Sequence, residues 1–344
     1  RARVLESLER LDLAATALEH HGRIREAGFD ELALSLGRDL RQAREHYRRG
    51  DYAESRFFLA GSLQNCVSCH VRLPSENTFA FAEELTANVE IESLDPRERA
   101  WFLVMVRRFE EALALWEAMM ADPEVPPGQL DGSGVLVDYL NVALRVQMDP
   151  KRARKHLARL ATRNDLPVYL SHRLQSWRDA LEGLDLERIT ANAPPSVEHG
   201  ARLAQQAGQL AKGPYGRDGL VQDLVAASQL VRFLEEDRAS MRGVTRNRTS
   251  KEKSDAARAY YWLAIVEARS LDGFWINLSE RHFEAAIRSD PRGPFAERAY
   301  THLEENHVLG FGGASGEHLP ADVWTQLHEL RELMGLAEPA HSIP

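Results

Sequence analysis

Residues 30–75 read DELALSLGRDLRQAREHYRRGDYAESRFFLAGSLQNCVSCHVRLPS, and the fold class follows from them. Residues 30–48 carry a helical apolar spacing, Gly50-Asp51 supplies a turn, and residues 52–65 begin a second helix that ends at CVSCH (66–70). Leu73-Pro74-Ser75 breaks the chain just beyond. Upstream, residues 2–27 place Val4, Leu8, Leu11, Ala15 and Leu18 on one stripe at 3- and 4-residue intervals, and Gly28 stops that helix. Downstream the same period returns at 98–123, 140–163, 257–270 and 279–291, where no alternating apolar run competes with it. The chain is therefore expected to be all-α.

At 344 residues it is long enough for a large core and for two or three sub-domains. The hydrophobic fraction of 44% and charged fraction of 28% are those of an ordinary globular protein. A net charge of −9 argues against nucleic-acid binding, whose footprint is basic, and leaves basic proteins as partners. No window reaches the ~18 uninterrupted apolar residues of a membrane span, so the chain is not expected to cross a bilayer.

Cys66 and Cys69 are the only two cysteines, which excludes a disulfide framework. Cys-x-x-Cys followed at once by His is the attachment pattern of c-type haem. One helical turn brings two thiols and an imidazole to one face: the thiols add to the porphyrin vinyl groups, and His70 lies beneath the iron as proximal ligand. Its second ring nitrogen should then find an acceptor. A zinc site would need two more ligands from distant histidines. A redox dithiol belongs to a βαβ context that the chain lacks. Two thiols held simply as core or as a local disulfide would leave the adjoining histidine without a reason.

NCVSCHVR at a helix end resembles the helical c-type cytochromes, cytochrome c-prime and its relatives, in which the attachment sequence lies late on a helix of an antiparallel bundle. The resemblance covers about twenty residues, and it departs from the family in that a long chain follows the motif here. It implies one covalent haem c per chain, held by Cys66 and Cys69 with His70 on the iron. It also implies assembly outside the bacterial cytoplasmic membrane, in the periplasm or an equivalent exported location. Ala53, Phe57 and Ala60, with Leu40 on the preceding helix, resemble the small-aromatic-small packing signature of tetratricopeptide hairpins. Ala112 and Trp116, then Phe283, Ala286 and Pro291, repeat it at irregular spacing.

These likenesses together imply a tetratricopeptide-like solenoid of helical hairpins with an N-terminal haem-bearing bundle. The expected organisation is a haem region at 1–90, helical repeats at 91–195 and 196–338, and a tail at 339–344. Pro194-Pro195 mark the middle boundary. RASMRGVTRNRTSKEKS (238–254), with six basic residues and one acid, reads as a mobile surface loop. The glycines of 310–316 lack the strand and the Gly-Lys-Ser/Thr of a phosphate loop, so they read as a helix-ending loop.

The second axial position of the iron decides between electron transfer and small-ligand chemistry. In an up-down-up bundle the end of the first helix comes level with His70, so His21 is the leading distal candidate and His20 the next. His46 lies far along the bundle. Met105, Met119, Met120 and an open sixth site also stay in play. His156, His172 and His199 show no spacing that implies a shared catalytic site. The expected function is an exported monohaem cytochrome that transfers electrons and docks a redox or assembly partner protein, with no enzymatic reaction of its own. A haem-containing sensor or assembly scaffold with an open sixth site is the alternative.

Overall fold

Three helices open the chain: α1 (Ala2–Gly22), α2 (Phe29–Arg49) and α3 (Tyr52–His70). The structure, a computed structural model, describes residues 1–22, 29–71, 86–87, 90–189, 193–211, 217–241, 247–269, 278–313, 316–317 and 319–336. α1 and α2 run antiparallel, tied by Asp12–Arg44 (2.6 Å) and Glu19–Arg41 (3.2 Å). α2 and α3 do likewise, with Ser55 Oγ donating to the Ala43 carbonyl (2.8 Å) and Asn65 Nδ2 donating to Asp39 (3.1 Å). Gly50 makes the turn between them at φ +93°, a left-handed value that glycine adopts without strain.

The next helices are α4 (Pro96–Met105), α5 (Phe109–Ala121), α6 (Pro127–Gly132), α7 (Val135–Leu140), α8 (Pro150–Leu160) and α9 (Val168–Gly183). Proline starts several of them and a carboxylate caps it. Asp95 accepts from the amides of Arg97 (2.9 Å) and Glu98 (3.0 Å), and Asp149 accepts from Arg152 (2.9 Å). α7 continues into a π-helical stretch, Asn141–Val146, where the Gln147 amide reaches back to the Val142 carbonyl (2.8 Å).

After a boundary turn come α10 (Val197–Leu210), α11 (Leu220–Met241), α12 (Ser250–Arg269), α13 (Ser279–Ser289), α14 (Ala296–Phe311) and α15 (Ala321–Met334). Each of these packs on the next. The glycine-rich stretch after α14 forms a two-residue antiparallel pair, Gly312–Gly313 with Gly316–Glu317, and no helix among the described residues is long and apolar enough to cross a membrane. The all-α class is the one observed.

One apolar core runs from Val67 and Val71 at the end of α3 to Met334 in α15, with Trp116 and Trp177 among its fully buried side chains. Chain on both sides of residue 195 contributes to it. Gln229 of α11 stitches the turn before α10: its carbonyl accepts from the Ser196 amide (3.2 Å) and its amide donates to the Arg188 carbonyl (3.1 Å). Inside the core Arg145, on the π-helical stretch, meets Glu267 of α12 at 2.9 Å, with both side chains almost fully buried. Glu267 also accepts from the Leu278 amide (3.2 Å).

Three sequence expectations are corrected. Ala53, Phe57 and Ala60 do not pack between helices: all three are exposed, Phe57 at 69%. α3 instead turns a polar face inward, Ser55, Ser62, Asn65 and Ser68: Ser55 reaches the Ala43 carbonyl and Asn65 reaches Asp39 of α2, while Ser62 bonds back to Phe58 of its own helix. The α1 stripe is likewise split: Leu8 and Ala15 are buried, whereas Val4, Leu11 and Leu18 are 42–47% exposed, since α2 covers only one flank. Finally, both ends of 238–254 are helical, with α11 running to Met241 and α12 starting at Ser250. Thr249 and Glu252 form a reciprocal capping box (3.2 and 2.7 Å), and Arg248 and Lys251 pair with Asp237 and Asp255. Residues 242–246 lie outside the described set.

Candidate functional site

CVSCH occupies the last turn of α3, so the helix runs through the motif to His70. Cys66 and Cys69 are unbridged, partly buried, and three residues apart, which puts them on neighbouring positions of one helix face. Cys66 packs against Ala15 of α1 and Leu36 and Leu40 of α2, beside Leu59. Burial pushes its thiol up to about 11. It also stands at the carbonyl end of the helix, where the macrodipole disfavours an anion. A nucleophilic dithiol needs the reverse, a lowered thiol in an electropositive setting, so the arrangement does not suit thiolate exchange.

His70 points the other way, toward α4. Its Nδ1 lies in very short hydrogen-bond contact with the Met105 carbonyl. That bond places the proton on Nδ1, so Nε2, across the ring, carries the lone pair and faces away from α4. Burial holds the imidazole below the usual histidine range, with the Arg107 charge adding to it and the Met105 carbonyl opposing. The ring is thus neutral at pH 7, the state in which an imidazole ligates iron or zinc.

The bend between α4 and α5 shapes this corner. Val106–Arg108 link the helices, with Arg107 at φ +64°. Its Nη1 donates to the His70 carbonyl at 2.6 Å, satisfying an acceptor that the end of α3 leaves without an intrahelical partner. On the other flank of α3 a groove of about 550 Å³ opens toward α4, walled by Leu63, Val67, Leu94, Trp101, Phe102 and Met105. This groove lies on the Ala60–Val67 side of the helix, not on the side where Cys66 meets α1 and α2.

The donor set suits a covalent haem better than a metal cage. Two unbridged thiols share a helix face in an apolar setting, and the imidazole beside them has one nitrogen already engaged by a carbonyl. Among the described residues, no three His, Cys, Asp or Glu side chains converge as a metal site, and a structural zinc needs four ligands. Cys66 and Cys69 would hold the macrocycle and His70 would ligate its iron.

Of the sixth-ligand candidates, the backbone of His20 and His21 belongs to the last turn of α1, five and six residues past Ala15 of the small cluster on which Cys66 packs. Their side chains lie outside the described residues. Met105 is held behind the imidazole by its own carbonyl, the wrong side of the ring for a sixth ligand. Met120 is buried in the main core with Met119 packed against it, and His46 stacks on Phe58 near the opposite end of α3. His156, His172 and His199 are dispersed over α8, α9 and α10.

Neither Met105 nor Arg107 carries a sequence signal for these roles. The first acts through its backbone, and the second is one of two adjacent arginines in a helix break. Compared with known proteins, the chain matches no protein-family model, no curated protein and no solved structure.

Proposed function

We propose that the chain is an exported monohaem c-type cytochrome in which Cys66 and Cys69 carry the haem, His70 ligates it, and the helical body beyond α3 docks a protein partner. The observation that carries this reading is the CVSCH turn itself: unbridged thiols on one helix face beside an imidazole whose Nδ1 is held by a carbonyl. Haem c would supply a one-electron couple at this position. The chain's own contribution is to fix the imidazole tautomer, to keep the ring neutral, and to pack the Cys66 thiol against the apolar cluster of Ala15, Leu36 and Leu40, which excludes water on that side of the motif. On this reading the stacked helices α10–α15 form a solenoid-like scaffold suited to an extended protein partner. Thioether attachment places the mature chain in the periplasm or a comparable compartment.

The test is expression with a haem-c maturation system, followed by a haem-stained denaturing gel and spectra of the oxidised and reduced protein. The stain should survive denaturation in the native chain and disappear in the Cys66→Ser/Cys69→Ser variant. A native chain that loses all haem on denaturation ends the proposal. Spectra before and after carbon monoxide decide the sixth position: no change marks a six-coordinate carrier, and a shifted band marks an open, sensor-type site.

A further inference from the structure

His70 is held at two points, and both holds come from the α4–α5 bend. The Met105 carbonyl engages its ring, and the Arg107 guanidinium engages its main-chain carbonyl (2.6 Å). Only Val106, itself 1% exposed, separates the two holding residues, so the bend closes a small ring of contacts around one histidine. Arg107 adopts a left-handed backbone, φ +64°, which is uncommon for a residue with a long side chain. Its guanidinium lies 5.5 Å from the Phe109 ring, a stacking contact that fixes its direction. A simple helix end needs much less than this, since water or a local 3₁₀ bond satisfies most terminal carbonyls.

We propose that Arg107 is a positioning residue for His70, locking its backbone so that Nδ1 stays on the Met105 carbonyl and Nε2 remains the nitrogen with the lone pair. The link to iron rests on the haem reading above; the lock itself does not. Without the guanidinium, the last turn of α3 frays and the imidazole swings off its acceptor. Lysine keeps the charge but offers a point donor in place of a planar fork, so it restores the hold only in part. The Arg107→Gly variant keeps the bend, because glycine accepts φ +64° without strain, and removes the guanidinium with its hold on His70 and its contact with Phe109.

The experiment follows the His70 Nδ1 proton by NMR in chain labelled with ¹⁵N-histidine, purified under reducing conditions, with thermal melting as the check on folding. In Arg107→Gly the Nδ1 proton should exchange with water about tenfold faster than in the native chain, the scale of one lost hydrogen bond. Arg107→Lys should fall between the two. An unchanged exchange rate in Arg107→Gly overturns the proposal and leaves Arg107 as a helix cap. A haem-stained gel of the same samples reports separately on the cytochrome reading. Faster exchange without covalent haem keeps the lock and sinks the cytochrome, and unchanged exchange with covalent haem does the opposite.

Discussion

The α1–α3 unit and the body that follows it are stabilised in different ways. From α4 onward, helices bury large apolar side chains: Trp116, Tyr139, Trp177 and Phe283 are all 0–1% exposed in one continuous core. Among the described residues of the first three helices the buried apolar side chains are aliphatic: Val67, which joins the main core, and Leu8, Ala15, Leu32, Ala33, Leu36, Leu40 and Ala43, with Leu59 and Cys66 packed at the edge of the Ala15, Leu36 and Leu40 cluster. The approach of these helices is held by short polar groups and ion pairs, while Leu13, Phe57 and Leu63 stand 50–72% exposed. Apolar area drives folding, so the motif-bearing unit is the less stable of the two by itself.

The sharpest way to test that contrast is to empty one site in each region. Trp116→Ala should cost about 3–5 kcal/mol in denaturant unfolding, whereas Leu40→Ala should cost about 2–3 kcal/mol, confined to the amides of α1–α3 in hydrogen exchange. Equal, global losses from both would show that the two regions unfold as one. Next in size is Asn65→Ala, which removes the bond to Asp39. Burial already raises the Asp39 carboxyl and Asn65 lowers it, so the variant should raise it further and lose about 1 kcal/mol. A neutral outcome by calorimetry would mean that the polar face of α3 contributes nothing. The smallest effect is expected from Phe57→Ser, within about 0.5 kcal/mol of native, because the ring is already in water. A loss above 1 kcal/mol would place Phe57 in a contact that the fold does not contain.

Helix ends and the CVSCH turn were legible in the sequence because both are local. Gly50 acts within a few residues of itself, and so do the two thiols and their histidine; the caps at Asp95-Pro96 and Asp149-Pro150 are as local, but the second lay inside the 140–163 stretch read as one periodic run. Which face of α3 turns inward was not legible, since Phe57 and Ala60 carry the stronger burial signal and the structure buries Ser62 and Asn65 instead. The group that engages the histidine ring is a backbone carbonyl 35 residues away, one that every residue type provides equally. The basic run at 238–254 misled for a related reason: its composition suggests a loop, yet its acidic partners Asp237 and Asp255 lie just before and just after the run. The capping box at Thr249 and Glu252 was the signal that could have corrected it.

The Arg145–Glu267 pair joins positions 122 residues apart. During synthesis the ribosome releases Arg145 long before Glu267 exists as part of the chain, and a charge enclosed in an apolar wall without its counter-ion is strongly unfavourable. The middle helices can therefore take up their secondary structure early, but their final packing waits until α12 has emerged. For a protein read as exported, that delay has a use: a chain that completes its core late stays threadable for longer.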